Sequence, residues 1–301
     1  MPGEPFPVDA AIARAVRAAG RVSSPYGTRP WRFVVLERRV GVKLDPDRVL
    51  RVADPHGQGA RVACGATVYA LRLVLAVTGW SSSVAVLPDR RDPDLVAEVR
   101  VGPRHRTTAE ERSLALAVER GGGNRWPVLR RAVPEPARAA LAKAARLEGA
   151  RLHLIEDPDD QATVAAVIRR ADFLRSRDDE YRAELRARQA REEGTYGLDT
   201  IGGGPEPLLA VLTTPTDTTV DQVIAGQALQ RVLLEADIAG LAVSLLPRPV
   251  ELPQTRSALH TTTGATPHAV LRIGFGHGSG PAPRRAGSEP GRAVTGFSPL
   301  G

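Results

Sequence analysis

Apolar residues recur along this chain with two different periods. Val8, Ile12, Val16 and Ala19 share one face of a helix expected over 7–20 and stopped by Gly20. Val62, Ala66, Tyr69, Leu73 and Val77 share one face of a second helix over 60–79, with Gly79 as its stop. Between them the polar turn "RVSSPYGTRPWRF" runs into "FVVLE", a strand over about 31–38. "SSVAVLPD" and "DLVAEVRV" read as strands, 109–120 and 135–148 as helices, and 150–155 as a strand. A long polar helix follows over 158–192, then the loop "GTYGLDTIGGGPEP" and the strand "LLAVLTT". A helix over 217–239 leads to "LAVSLLP" and a last strand, "HAVLRIGFG". Strands and helices in this mixture predict an α+β protein. The tail after Gly276, rich in Gly, Pro, Ser and Arg, is expected to be partly extended or disordered.

The pattern repeats. "CGATVYALRLVLAVTGWSSSVAVLP" at 64–88 and "AGQALQRVLLEADIAGLAVSLLP" at 225–247 carry a glycine, a helix ended fourteen residues later by a second glycine, and a strand closing in Leu-Pro. Gly65 and Gly226 are read as standing at the starts of their helices, where the missing side chain allows close approach. Each copy alone is a small α+β half, and the two would bury their apolar helices against one another.

Composition narrows the function classes. At 301 residues with 42% hydrophobic residues the chain suits one large or two small globular units. Aromatics at 4% leave the core to Ala, Val and Leu. No stretch is read as a membrane span, the N-terminus lacks the pattern of a secretion signal, and a cytoplasmic location is expected. Cys64 is the only cysteine, so no internal disulfide can form, and it is read as a small core residue. The histidines lack ligand spacing, no metal site is expected, and His260 and His268 are read as structural. The net charge of +7 rests on arginine, with Lys43 and Lys143 the only lysines. In "RRADFLRSRDDEYRAELRARQAREE" the arginines alternate with acids as on a solvated helix, so neither nucleic acid nor membrane is the expected partner. "GFGHGSG" follows the last strand with no helix behind it and fails as a dinucleotide fingerprint.

Three segments together resemble the Acg-like branch of the nitroreductase superfamily: "SSPYGTRPWRF", "VACGATVYALRLVLAVTG" and "AGQALQRVLLEADIAGLAVSLLPRPVELPQTR". The resemblance runs from about residue 10 to Arg285 and is weakest over 155–205. It implies two tandem nitroreductase-like halves forming an intramolecular pseudo-dimer: 1–105, then 106–280 with a helical lid at about 156–205, then a tail over 281–301. It also implies FMN between the halves and NAD(P)H as co-substrate. The family turn Pro-Ser-x-x-Asn-Thr-Gln-Pro-Trp is kept at Ser24, Thr28, Pro30 and Trp31, while Gly27 replaces the Asn and Arg29 the Gln. The phosphate turn Arg-Arg-x-Thr-x-Arg corresponds to "ERGGGNRWPV": Arg120 and Arg125 survive, Asn124 lies between them, and Gly121 and Gly123 replace the second Arg and the Thr. Ser244, Leu245 and Leu246 match the strand whose backbone faces the flavin ring, and Arg284 and Arg285 match a basic pair that reaches the phosphate.

The chemistry of these residues is independent of the family. A phosphate monoester suits guanidinium forks and inward N–H groups, which "RGGGNR" could supply as an anion nest; a plain flexible loop is the other reading. Arg29 would place a cation near the ring edge or else lie on the surface. Trp31 and Phe33 are expected mainly to pack the strand start. No catalytic side chain is singled out, because a flavin carries the chemistry itself. Three functions are open: an FMN-dependent oxidoreductase acting on a small electrophile, an FMN-sequestering protein, and a family member without flavin. The chain is expected to be a monomer or a homodimer.

Overall fold

The computed structural model describes residues 6–119, 128–129, 132–189, 207–276 and 293–294. The first unit runs α1 (Val8–Ala19), β1 (Trp31–Leu36), β2 (Arg39–Leu44), α2 (Gln58–Val77), β3 (Trp80–Val86) and β4 (Leu95–Arg104). After α3 (Ala109–Glu119) and the short β5 (Val128–Leu129) come α4 (Glu135–Leu147), β6 (Arg151–Ile155), α5 (Pro158–Ser176) and α6 (Asp179–Gln189). The chain ends with β7 (Leu208–Thr214), α7 (Thr219–Ile238), β8 (Leu241–Leu246), α8 (Arg248–Glu251), α9 (Pro253–Thr263), β9 (Thr266–Gly276) and β10 (Ala293–Val294).

These elements form an α+β protein with two sheets. One has the order β1-β2-β4-β3, with β10 added in parallel beside β1. In the other, β6 pairs with β7, β7 with β9 and β9 with β8, while β5 joins the end of β9. Without α3, β5, α5, α6, α8, α9 and β10, both units read helix–strand–strand–helix–strand–strand, with the same strand order and antiparallel pairing. α1 buries Ala11, Ile12, Ala15 and Ala19 against the first sheet, in a core that contains Trp31, Phe33, Val40, Val42 and Val96. α4 buries Leu141, Ala144 and Ala145 in the second core, with Ala210, Leu212, Val232 and Leu271.

The units meet where α2 crosses α7. Each helix has 20 residues, and Gly65 and Gly226 stand at equivalent positions within them, not at their starts. A Cβ on Gly65 would lie 2.1 Å from the Val223 carbonyl oxygen; one on Gly226 would lie 2.0 Å from that of Val62. Each glycine therefore faces the residue three positions before the other. Equivalent positions also pair directly, since Arg61 Nε donates to Gln222 Oε1 at 2.6 Å, each four residues before its glycine. Farther along, Arg72 donates to Gln227 Oε1 (2.8 Å) and pairs with the buried Glu148 (2.6 Å), which also binds Arg231 at 2.9 Å. α3 closes this end by packing Leu114 and Ala117 against Tyr69, Leu73 and Leu234. α2 is long and apolar enough to cross a bilayer, contrary to the reading that no segment is, but most of that stretch is buried inside the protein.

Several boundaries differ from the expectation. β2 was not foreseen, because "RVGVKL" is interrupted by Gly41, where a Cβ would press on Leu95 Cδ1 at 3.1 Å. α9 was missed because its threonine-rich sequence buries only Thr255 and Leu259. The polar helix is broken at Arg177–Asp178 into α5 and α6, and Asp178 Oδ1 accepts from Tyr181 N at the start of the second helix. The tail supplies β10, so part of it belongs to the first sheet.

Adding a methyl group at the crossing must push two backbones apart. Gly65→Ala or Gly226→Ala is expected to cost about 3 kcal/mol in urea denaturation followed by circular dichroism. Gly240→Ala, where a Cβ meets open space and only the φ of 69° is strained, should cost about 1 kcal/mol. Equal losses at the three positions would place the close approach elsewhere.

Candidate functional site

The α1–β1 connection is a strained polar turn. Tyr26 (φ 55°), Gly27 (φ 66°) and Arg29 (φ 45°) all adopt left-handed backbone, which a non-glycine residue holds only when its surroundings fix it. The buried Ser24 hydroxyl accepts from Arg29 N at 2.7 Å, and Arg48 Nη1 donates to the Arg29 carbonyl at 3.3 Å. The Pro30 carbonyl accepts from Asp45 N (3.1 Å) and from the Cys64 thiol (3.5 Å). Burial pushes that thiol well above its usual pKa, so Cys64 stays a protonated core residue. Trp31 is fully buried in the first core beside Phe33, and its Nε1 has no hydrogen-bond partner among the described residues. The packing role read for both rings is what the structure places there. Arg29, half-buried, has no partner for its guanidinium among the described residues.

Two later segments close on this turn. α6 lies against the first unit through one face, built by Tyr181, Glu184 and Arg188. Arg188 Nη2 donates to the carbonyls of Gly27 (3.0 Å) and Thr28 (2.9 Å). The Glu184 carboxylate accepts from three successive backbone N–H groups, Arg51 (2.6 Å), Val52 (3.1 Å) and Ala53 (2.9 Å), an anion nest filled by a side chain. Tyr181 shares a 2.6 Å hydrogen bond with Tyr26, whose own hydroxyl donates to Glu251 Oε1 at 2.6 Å. Glu251 ends α8, which follows β8 directly, so the turn touches the segment just beyond Ser244, Leu245 and Leu246. Ser244 and Leu245 are half-buried and Leu246 buried; β8 pairs with β9, and among the described residues no strand pairs with its other edge.

The junction is electrostatically unusual. Burial outweighs the favourable contacts and lifts Glu251 to about 7. Burial, then the nearby Glu251 charge, pushes Tyr181 up to about 12 and Tyr26 higher still. Arg175 is buried, stacks 4.3 Å from the Tyr181 ring centre, and places Nε 3.5 Å from Glu251 Oε2; neither of those two atoms has a hydrogen bond among the described residues. Elsewhere His268 is pulled down to about 4 by burial, so it is neutral beside Thr214 and structural, as read. No group of three or more His, Cys, Asp or Glu side chains placed to hold a metal occurs among the described residues.

Of the candidate site residues, Ser24, Thr28, Arg29, Pro30 and Trp31 share this turn, and Ser244, Leu245 and Leu246 lead into the helix that binds it. Arg120, Asn124, Arg125, Arg284 and Arg285 lie outside the described residues. Sequence reasoning missed Tyr26, Tyr181, Glu184, Arg188 and Glu251. The spacing 181, 184, 188 was the available signal: three polar residues on one face of a helix taken to be solvated throughout.

The class of molecule is thus an α+β chain of two like-ordered units, joined across a glycine-tight helix pair, with a clamped polar turn beside the junction. No protein-family model matches it. It is similar to "Putative NAD(P)H nitroreductase acg" of Mycobacterium tuberculosis strain H37Rv, 28% identical over 88% of each chain. A second protein of that strain, also named a nitroreductase of this kind, is 26% identical over 90% of this chain and 86% of its own. The resemblance to Acg-like proteins therefore runs along most of the chain. A solved nitroreductase with bound FMN from Bacteroides fragilis aligns at a TM-score of 0.43 and 11% identity, over 61% of this chain and 98% of its own.

Glu184 ties α6 to the nest without contributing to either sheet core. Glu184→Ala should accelerate amide hydrogen exchange across 179–189 while changing global unfolding by less than about 1 kcal/mol. An unchanged exchange pattern would mean that other contacts hold α6.

Proposed function

We propose that the chain is a fused pair of nitroreductase-like units, 1–105 and 106–280, that binds FMN in the crevice between them and acts as an NAD(P)H-dependent oxidoreductase. Similarity along the chain to proteins named NAD(P)H nitroreductases supports the reading, as does the common element order of the units. The observation that carries it is Arg29: a half-buried guanidinium without a partner among the described residues, on a strained residue of the turn that resembles the family's cofactor turn. A cation in such a place suits the electron-rich edge of a reduced flavin, and the open edge of β8 offers backbone groups to a planar polar ring. The fit is selective. The Gly27 and Thr28 carbonyls and the Ser24 hydroxyl are already engaged, and Trp31 is core, so Arg29 and β8 would hold the ring.

FMN, when bound, supplies two-electron chemistry between NAD(P)H and a small electrophile such as a nitroaromatic or a quinone. The chain's own residues position and enclose. Arg29 sets the charge at the ring edge, while Arg120, Asn124, Arg125, Arg284 and Arg285 are assigned to the phosphate. α6 limits access from the side of the turn. That contact favours one second reading, an FMN-sequestering protein with little turnover, because Tyr181, Glu184 and Arg188 all hold α6 against the first unit. We assign the chain to the cytoplasm, as a monomer or a homodimer.

The purified protein should be yellow, with flavin absorbance bleached by NADPH under anaerobic conditions. Colour without bleaching would select sequestration; a colourless protein that does not bind added FMN would remove both readings. Arg125→Ala should reduce FMN retention more than Arg29→Ala, since a doubly charged phosphate depends more on one guanidinium than the ring does.

A further inference from the structure

One buried carboxylate joins three parts of the chain that are distant in sequence. Glu251 of α8 accepts from Tyr26 of the polar turn, which in turn is bonded to Tyr181 of α6. Because the Tyr26 hydroxyl hydrogen points to Glu251, Tyr181 donates to Tyr26, giving a directed line of bonds from α6 to the carboxylate. The remaining neighbours do not neutralise that carboxylate well. Arg175 of α5 approaches at 3.5 Å without a hydrogen bond and is shared with Asp178 at 3.1 Å. Arg248, on the same helix as Glu251, is engaged by Asp172 at 2.9 Å, and Asp54, from the loop before α2, adds a like charge. α6 meets the first unit through hydrogen bonds made by Tyr181, Glu184 and Arg188, and the fully buried Tyr181 ring is the apolar part of that contact, so release of α6 must also expose this one ring.

We propose that the Tyr181–Tyr26–Glu251 junction is a proton-operated latch, which holds α6 over the Ser24–Trp31 turn while Glu251 carries its proton and releases α6 when the proton leaves. The protonated acid keeps a hydrogen bond to Tyr26 and buries no charge. The ionised acid is stranded beside two phenols and a half-engaged arginine, and movement of α6 removes Tyr181 and admits water to it. The sign follows from linkage. Glu251 binds its proton more tightly when enclosed (about 7) than when freely solvated (4.5), so closure is fully favoured below the lower value and lost as pH rises toward the higher one. Each pH unit between these values multiplies the open population by about ten, roughly 300-fold in all, and the effect is constant above. Access to the turn would thus widen between mildly acidic and neutral conditions. The latch is read from the turn, α6 and α8, and does not depend on whether a flavin binds.

Hydrogen exchange of the full-length protein, followed by mass spectrometry from pH 5 to 8.5 and corrected for intrinsic exchange rates, tests this directly. The opening equilibrium of amides in 179–189 should rise by somewhat under 100-fold over this range and level off near pH 7.5, while the amides of α2 serve as the control for global folding. Glu251→Gln, a permanent mimic of the protonated acid, should stay closed with no pH dependence. Tyr181→Phe should open α6 several-fold at pH 5 and still rise with pH. A flat wild-type profile would overturn the latch. So would a Glu251→Gln profile that rises like the wild type, since the proton would then reside elsewhere. Repeating the series with added FMN separates the two ideas: the flavin reading stands or falls on colour, the latch on the slope.

Discussion

Where α2 and α7 cross, a methyl group on either glycine would intrude to about 2 Å from a carbonyl oxygen of the other helix (2.1 Å and 2.0 Å). Only hydrogen atoms fit there, and Cα–H groups against carbonyl oxygens are the contact that remains. The placement of the two sheets relative to each other is referred to this crossing. α2 packs against α1 and the first sheet, whose ends flank the polar turn; α7 packs against the second sheet and leads into β8 and α8. The separation of Ser24 from Glu251 is therefore set by how close two backbones can come. A contact between equivalent positions on two similar helices, with Arg61 paired to Gln222 beside it, is the arrangement expected when one surface meets its own copy.

The contrast with α6 is instructive. The helix crossing is made of buried Ala, Val, Gly and Leu, and it resists opening because its whole apolar area would be exposed at once. α6 docks through a tyrosine, a glutamate and an arginine, whose hydrogen bonds are largely exchanged for water on release. Such bonds are each worth little net, so the closed position depends on them together with the one fully buried ring of Tyr181. Strained Tyr26 and Arg29 thus lie in the turn to which this helix is bonded.

Much of the scaffold was legible. The two apolar helices, their terminal glycines and the strands after them repeat at a fixed spacing, and the structure returns two units with one strand order. What failed was local: Gly41 hid β2, threonines hid α9, and continuous charge hid the break at Arg177–Asp178. Gly65 and Gly226 were recognised as places of close approach but put at helix starts, because a glycine within a helix usually weakens it; here the crossing compensates for that loss. The site was legible only in part. The turn announced itself through its composition, and Arg29 through its substitution for a neutral residue. The partners of Tyr26 could not be read, since Tyr181 lies 155 residues away and Glu251 225.

That separation also explains why a polar cluster of this kind is not merely structural ballast. A buried acid paired fully with one arginine would fix the fold and titrate far from neutrality. Glu251 instead meets two hydroxyls and an arginine whose Nε stops short of a hydrogen bond. Its charge is stabilised enough to form and too little to form easily, so its proton is exchangeable where a tight ion pair would have none to lose. The three elements that meet at this acid are the turn, the helix over it and the segment leaving β8. A change in one proton is thus felt on both walls of the crevice, while the glycine crossing behind them, which contains no titratable group at its closest point, stays as it is.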